Sequence, residues 1–534
     1  MRRRRRGGSK RGALKPQRAS YPLQERMLRV GPGKFGILAV DSSKVHFAVM
    51  LTNFAGVELM VDLAVENTAP ALEALVAKVQ AACAEHGIVD LVVAIERTGR
   101  YHVPIRNVLR KHWEVRMVHP LATKRLREPA DPGNKTDLTD LRAIVRAVVA
   151  GYGALEKDLP ERWADWREVN RERESLVRKR ALFRVQIQER LEGMLPGFSG
   201  LFADLWSSPA APDLAAHYGS AEALRQAGET GLLDWLRASG RPMRRDTLCR
   251  ILVWAATASA PDHGPELRRR MLANQLALLR ATQAQIVAYE RDLAGYLAET
   301  PFVLLLSCPA VGVVSAAGYG AELGPIEHYA HPANIRGRAG LYPSRYQSDA
   351  TDLADGPIVR QSNARLRDAL IEIAHNLLTH SPYFKAWAQV RKAKGWPSAK
   401  LHVAVANKFT RISYAIVAGR TLFEHPALGG PDAILRKLYD FARGHGLTAE
   451  ATAGLLAAAA PWMPDTAARQ EAAALRNDLA PRARHRSAGP DEGSPEHWAK
   501  VLGELFERIA AGLPLPDERN RTRPIANVRG RTPD

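Results

Sequence analysis

The sequence predicts an α/β domain followed by a larger region that is mainly all-α. Short runs of β-forming residues alternate with helical patterns between residues 35 and 120, which is typical of α/β proteins. Two long, charged segments at 161–192 and 265–299 have helical periodicity. Further amphipathic helices follow up to residue 420. A chain of 534 residues is long enough for roughly three or four structural units.

Residues 35–152 are predicted to form the α/β domain. Its predicted elements, in order, are strands at 36–40, 46–53 and 57–62, a helix at 68–86, a strand at 91–95, a helix at 103–111 and a strand at 115–119. Three leading strands, followed by alternating helices and strands, are the order found in ribonuclease H-like domains. The sequence therefore predicts a domain of this type.

The region from residue 153 to residue 300 is predicted to be a helical coiled-coil arm. Apolar residues in its second long segment recur at alternating steps of three and four, which is typical of a coiled-coil seam: Leu272, Leu276, Leu279, Ile286, Leu293 and Leu297. Gln283 and Glu290 interrupt this seam. We expect a second helical domain at 301–420. Residues 421–534 are expected to be an Ala/Pro/Arg-rich extension, partly disordered, with short helices near 448–459 and 494–512.

The formal net charge of +20 is concentrated at the N-terminus. The first 30 residues contain eleven Lys or Arg and one acid, Glu25. We predict that residues 1–34 form a disordered basic arm that contacts nucleic-acid phosphates; a solubilising leader is the alternative.

The three cysteines are too far apart for a disulfide framework or a metal knuckle, which favours a reducing cytoplasm. The uncharged stretch 300–321 contains Pro and Gly and is predicted to be a buried turn, not a membrane span.

Four carboxylates stand where a metal site would be built. Asp41 and Glu96 each end a predicted strand, and ligand sites collect at the carboxyl ends of strands in open α/β sheets. Asp137 and Asp140 are three residues apart at the predicted start of a helix, so they share one face. Such a set can bind a pair of Mg²⁺ ions. Alternatively, each acid is a turn residue or favours a helix dipole.

The strings around these acids resemble the signatures of the DEDD transposases of insertion sequences, which are related to a pilin-gene invertase. They are Asp41-Ser42-Ser43-Lys44, Glu96-Arg97-Thr98-Gly99-Arg100-Tyr101 and Lys135-Thr136-Asp137-Leu138-Thr139-Asp140. Val118-His119-Pro120 is similar to the strand and turn that precede the last acids. Leu141 departs mildly from the family, where Ala is commoner. The resemblance implies a RuvC-like domain that uses Asp41, Glu96, Asp137 and Asp140.

The second half of the chain resembles the same family. Its matching strings are Cys308-Pro309-Ala310-Val311-Gly312, similar to a helix-hairpin-helix-like turn, Gly340-Leu341-Tyr342-Pro343-Ser344-Arg345-Tyr346-Gln347-Ser348, and Asn363, Leu366 and Arg367. The resemblance places Ser348 at the family's nucleophilic serine; without it, Ser348 and Ser344 are equal candidates. Asp349 and Ser362 stand where the family has Gly.

The resemblance implies a Mg²⁺-dependent DNA transposase or recombinase in which Ser348 attacks a phosphodiester. It also implies a structured guide-type non-coding RNA, and a homo-oligomer (dimer or tetramer) in which a composite site combines residues of different subunits. We expect a cytoplasmic, nucleoid-associated protein without a membrane anchor. Two alternatives remain open. A RuvC-like Holliday-junction or other nuclease would use a metal-bound water and not Ser348. A non-catalytic nucleic-acid-binding relic would bind DNA without cutting it.

Overall fold

The computed structural model describes residues 21–130, 132–155, 159–261, 265–348, 351–353, 356–360, 362–423 and 432–463. The chain divides into two compact units, Met1–Asp158 and Leu159–Asp534. The first is α/β and the second is mainly helical, as the sequence predicts. The division lies six residues after the predicted boundary at residue 152; the rest of the predicted arm, from residue 159, and the predicted domain at 301–420 belong to the second unit.

The first unit contains a mixed six-stranded sheet with the strand order β3-β2-β1-β4-β5-β6. Its elements are α1 (Tyr21–Val30), β1 (Phe35–Ser42), β2 (His46–Asn53), β3 (Glu58–Glu66), α2 (Ala69–Glu85), β4 (Asp90–Glu96), α3 (Val103–Leu109), β5 (Glu114–Val118), α4 (Pro120–Arg127), α5 (Asp137–Val149) and β6 (Ala154–Leu155). Strands β1, β2 and β3 are antiparallel, whereas β1, β4 and β5 are parallel. This arrangement fits a ribonuclease H-like domain, so the predicted fold class is confirmed.

The central strand β1 shows why helices cover both faces of the sheet. Every residue from Phe35 to Val40 is fully buried, so neither face of this strand is exposed to solvent. Because side chains alternate along a strand, Ile37 packs with α5 on one face, while Leu38 packs with α2 and α3 on the other. Such continuous burial is typical of parallel strands between two helical layers.

The first described helix differs from the disordered arm predicted for residues 1–34. Leu23 of α1 is buried against the sheet. The guanidinium of Arg26 donates to Asp90 at 2.9 Å and to Glu114 at 2.9 Å. These partners are far away in sequence, so composition alone could not reveal them. The correction applies to residues 21–34; residues 1–20 lie outside the described part of the chain.

The described residues of the second unit form helices and one short hairpin. Its elements are α6 (Glu161–Met194), α7 (Ala210–Tyr218), α8 (Ala221–Ala238), α9 (Arg245–Thr257), α10 (Pro265–Ala298), α11 (Val313–Leu323), α12 (Pro332–Ala339), β7 (Tyr346–Ser348), β8 (Thr351–Leu353), α13 (Ala364–His380), α14 (Pro382–Lys392), α15 (Ser398–Gly419), α16 (Asp432–Gly444) and α17 (Ala449–Ala459). Short 3₁₀ helices include Pro301–Ser307 before α11. No described helix is long and apolar enough to cross a membrane.

Helices α6 and α10 form the predicted helical pair, and its polar interruptions have partners. Arg180 of α6 donates to Gln283 at 2.9 Å, and Arg173 donates to Glu290 at 2.7 Å. The lower-numbered residue of α6 meets the higher-numbered residue of α10, so the two helices are antiparallel. Each of the two interruptions therefore has a partner on the other helix, and these contacts fix the register of the pair.

The region after residue 420 also differs from the sequence prediction, because part of it is integral to the core. Helices α16 and α17 contribute apolar side chains to the main core of the second unit: Ile434, Leu435, Leu438, Ala442, Leu455, Leu456 and Ala459. The predicted helix at 448–459 corresponds to α17. The predicted helix at 494–512 lies outside the described residues.

Candidate active site

The sheet brings Asp41 and Glu96 to the same edge. Strands β1 and β4 are parallel neighbours, and Val40 is paired with Ile95 in their register. Asp41 and Glu96 are the next residue on each strand, and both are partly buried. The apolar residues before them are driven into the sheet core, so the first polar residue of each strand emerges at its carboxyl end. This placement is the one that the strand pattern predicts.

Asp137 and Asp140 lie in the first turn of α5. The hydroxyl of Thr136 accepts from the backbone N–H of Thr139, and the Thr139 hydroxyl accepts from the Thr136 backbone N–H. This reciprocal cap explains why the helix begins at Asp137. Asp137 is exposed, whereas Asp140 is buried at 6% exposure.

The electrostatics of Asp41 link the four carboxylates. Burial and the negative charges of Glu96, Asp140 and Asp137 raise the pKa of Asp41 from 3.8 to about 6; a hydrogen bond from the backbone of Ser42 acts in the opposite direction. All four predicted acids of the first unit therefore share one local field. An Asp that ended a strand as a simple turn residue would not experience the charges of three other acids.

Arg127 was not among the residues predicted from the sequence. It follows α4's last apolar residues, and its guanidinium is paired with the carboxylate of Asp140. Both side chains are largely buried. In the part of the chain that the structure describes, no three His, Cys, Asp or Glu side chains are arranged to hold one metal ion. The guanidinium of Arg127 occupies one of the four carboxylates, that of Asp140.

The donor set nevertheless fits a hard divalent cation in its chemistry. Carboxylate oxygens are the ligands that Mg²⁺ prefers. The pKa of Asp41 is raised first by burial and then by the negative charges of Glu96, Asp140 and Asp137. A divalent cation would relieve this repulsion.

Ser348 lies in the second unit at the end of β7, where its backbone is paired with Thr351 of β8. The hairpin is extended towards its base, because the backbone N–H of Val359 donates to the carbonyl of Tyr342 at 3.1 Å. Pro343 and Ile358 form a further bridge. Ser348 therefore stands at the end of the paired segment that is farther from Tyr342 and Val359. Asp349 lies outside the described residues.

Ser344, the other serine in this motif, has a structural role. Its hydroxyl donates to the carbonyl of Pro357 at 3.0 Å, and its carbonyl accepts from the backbone N–H of Gly356 at 3.2 Å. A Cβ atom on Gly356 would come within 2.6 Å of the Ser344 carbonyl oxygen. The two strands can approach this closely only because residue 356 is glycine. Ser344 is thus occupied in holding the hairpin base.

The chain accommodates Ser362, which stands where the resembling family has Gly. The Ser362 hydroxyl accepts from Arg367 at 2.8 Å, and Arg367 also donates to the carbonyl of Val359 at 2.9 Å. Asn363 caps α13 by accepting from the backbone N–H of Leu366 at 3.2 Å. These contacts fix the returning end of the hairpin to the start of α13.

A lysine of α16 binds the turn between the 3₁₀ helix and α11. The amine of Lys437, on α16, donates to the carbonyls of Leu306, Cys308 and Val311 at 2.7, 2.8 and 3.0 Å. Burial lowers the pKa of Lys437 to about 8. Ala310 in this turn has a left-handed backbone with φ of 62°. The element before the turn is a 3₁₀ helix, so the motif departs from two α-helices joined by a hairpin.

Comparison with known families gives two matches in the order expected. A model of DEDD-type IS110 transposases matches residues 38–196, which include all four carboxylates. A second model, described as the IS116/IS110/IS902 transposase family, matches residues 303–389, which include Ser348. No curated protein matches the chain significantly. With its ribonuclease H-like sheet, its strand-end acids and both family regions in sequence order, this chain belongs to the IS116/IS110/IS902 family of transposases.

Proposed function

We propose that this transposase cuts and rejoins DNA with the four carboxylates of the first unit and the hydroxyl of Ser348. The observation that carries the proposal is the placement of Asp41 near Glu96, Asp137 and Asp140, where burial and the charges of these acids raise the pKa of Asp41 to about 6. Strongly perturbed carboxylates at the carboxyl ends of strands are typical of functional sites.

The four carboxylates would hold Mg²⁺, which would neutralise charge on the phosphate undergoing attack. Asp41 and Glu96 are fixed by the sheet, so they provide a rigid edge. Asp140 would be a fourth ligand if its pair with Arg127 opened, and the guanidinium of Arg127 would then be available to neutralise negative charge on the phosphate.

Ser348 would supply the nucleophile. Its oxygen would lose its proton and form a bond to phosphorus as the bond between phosphorus and one DNA oxygen breaks, and the departing oxygen would take up a proton. The resulting phosphoserine retains the phosphodiester energy for rejoining. Support comes from Ser344, whose hydroxyl is used in the hairpin base. Ser348 lies further along the hairpin, towards its tip.

A guide-type RNA and a homo-oligomer complete the proposed assembly. The +20 charge and nine Lys or Arg among residues 1–20, with no acid, favour extensive contacts with nucleic-acid phosphates. Deleting residues 1–20 should lower the salt dependence of nucleic-acid binding. An unchanged slope of log affinity against log salt would exclude this segment from binding.

The test of the proposed function uses the element's own DNA ends and flanking sequence on a plasmid, together with the full chain. Asp41→Asn, Glu96→Gln, Asp137→Asn and Asp140→Asn should each reduce new DNA junctions on the order of 100-fold or more, because each removes part of a charge-neutralising site. Glu73→Gln, an exposed acid on α2, is the matched control. Wild-type-like recombination by all four variants would refute the metal site.

A further inference from the structure

A long part of the second unit contains basic residues and no acid. Residues 373–423 include eight Lys or Arg, three His and no Asp or Glu. The whole chain has 56 acids in 534 residues, so a stretch of this length would ordinarily contain several. The stretch covers the C-terminal half of α13 and all of α14 and α15. The charged side chains of this stretch are therefore all basic, although Asp368 and Glu372 lie on the preceding part of α13.

A cavity of about 330 Å³ opens among α13, α14 and α15. Its floor is apolar and is formed by Leu378, Ala388 and Leu401. Its volume is at the lower end of the roughly 300–1,000 Å³ range of small-molecule sites. The cavity can therefore take a flat apolar group of limited size.

The rim of this cavity is cationic and polar. Lys385 and Lys392 are exposed and lie about two turns apart on the same side of α14. His375 and His402 stand opposite, with stacked rings whose centroids are 5.6 Å apart. His402 Nδ1 donates to the carbonyl of Ser398 at 2.8 Å, so its Nε2 accepts from His375 Nδ1 at 3.4 Å. This chain of contacts fixes the His pair at the cavity mouth.

Two tryptophans near the link between α14 and α15 make contacts with cationic side chains. The guanidinium of Arg391 lies 3.6 Å from the ring centroid of Trp387 and 5.8 Å from that of Trp396. Lys400 lies 5.1 Å from the Trp396 ring. These contacts hold the link between α14 and α15 in one conformation. The basic surface is thus preorganised by its own aromatic residues.

We propose that α13, α14 and α15 bind an unpaired DNA strand and that the cavity holds one unstacked base. The apolar floor would contact the face of the base, and Lys385 and Lys392 would contact flanking phosphates. A duplex cannot use such a cavity, because its bases are paired and stacked. This inference deepens the proposed function, since strand exchange in DNA exposes unpaired strands, but it concerns binding alone.

Lys385→Gln/Lys392→Gln tests the phosphate contacts. Binding of a labelled 12-nucleotide single-stranded DNA is measured by fluorescence anisotropy over a range of salt concentrations. Losing two contacts should weaken binding about tenfold near physiological salt and reduce the salt slope by about 1.4. Lys111→Gln/Lys179→Gln removes the same charge from two exposed lysines elsewhere and should change binding little. Equal effects of the two double variants would overturn the proposal.

Thr379→Trp tests the base pocket without changing charge. Thr379 is exposed at the rim, so an indole there would fill the cavity without disturbing the core. The wild type should bind the single strand more tightly than the same strand with one abasic site, and Thr379→Trp should abolish that difference. A wild type that bound the intact and the abasic strand with equal affinity would contradict a base in the pocket. A wild type that bound the corresponding duplex as tightly as the single strand would also contradict it.

Two further measurements distinguish a failure of this inference from a failure of the proposed function. If the Lys385/Lys392 variant loses affinity for RNA but not for DNA of the same sequence, the assignment to a DNA strand is overturned. Strand binding by the wild-type chain is measured in EDTA, so it does not depend on the proposed metal ligands. Failure of the recombination assay with normal strand binding would therefore refute the catalytic proposal alone.

Discussion

The guanidinium of Arg127 pairs with the carboxylate of Asp140, the acid of the candidate metal site that is most deeply buried. The two residues are thirteen positions apart, on α4 and α5. The pair neutralises one carboxylate of a cluster that otherwise has four negative charges. A cation that used Asp140 would have to compete with this guanidinium.

Arg127→Gln is expected to destabilise the protein in the absence of divalent cations, on the order of 2 kcal/mol, because Asp140 would remain buried near three other acids. The same variant should gain more thermal stability from Mg²⁺ than the wild type does. Differential scanning fluorimetry with EDTA and with excess Mg²⁺ measures both effects. Arg125→Gln, an exposed residue of the same helix, is the control. An unaltered Mg²⁺ response in Arg127→Gln would show that the pair does not compete with the ion.

The raised pKa of Asp41 predicts a pH-dependent effect of Asp41→Asn. The pKa is about 6 in the folded chain and near 3.8 when unfolded, so the folded state binds the proton more tightly. The contribution of Asp41 to the free energy of unfolding should therefore decrease as the pH rises from 4 to 6, and it stays at the lower value above pH 6. In EDTA, the variant should match the wild type at pH 4 and exceed it by about 2 kcal/mol at pH 7.5.

Urea unfolding at the two pH values measures this difference. Asp62→Asn is a control of opposite sign, because a hydrogen bond from Lys78 lowers the pKa of Asp62. That control should be destabilised at pH 7.5. If Asp41→Asn is no more stable than the wild type at pH 7.5, ionised Asp41 is not destabilised by its burial near the other three acids.

Ala310→Gly should stabilise the turn before α11. Ala310 has φ of 62°, a conformation that costs an L-residue roughly 1–2 kcal/mol and glycine little. After the extra chain entropy of glycine is subtracted, a gain of about 0.5–1 kcal/mol is expected. Ala273→Gly, at an exposed position inside α10, should instead lose about 1 kcal/mol. Calorimetry of both variants checks the signs; destabilisation by Ala310→Gly would show that the turn depends on the methyl group.

Truncation should show that α16 and α17 belong to the folded core. A chain ending at residue 423 loses five large buried side chains of these helices, worth roughly 10 kcal/mol of burial in gross terms. This equals a typical domain stability, so the product should aggregate or bind a hydrophobic dye. A chain ending at residue 463 keeps these contacts and should remain monodisperse or form the native oligomer. Equal solubility and unfolding temperatures for the two products would contradict the packing.

The sequence predicted those features that follow from local pattern. Apolar runs ending in Asp41 and Glu96 specify strands, and parallel pairing then places the acids together. It did not predict Arg127, whose role depends on how α4 and α5 pack. It also missed Leu23 and Arg26, because their partners are distant in sequence. The apolar residues of α16 have helical spacing in the sequence. The Ala-, Pro- and Arg-rich composition around them nevertheless favoured the prediction of a partly disordered extension.

The most direct test of the account is whether DNA becomes covalently attached to Ser348. The full chain is incubated with Mg²⁺, the element's DNA ends and the RNA transcribed from the element, and DNA-linked peptides are identified by mass spectrometry. We predict a phosphodiester link on the peptide that contains Ser348, no link in Ser348→Ala, and a normal link in Ser344→Ala if its hairpin remains folded. DNA cleavage that persists in Ser348→Ala without any adduct would contradict the account and assign the attack to water.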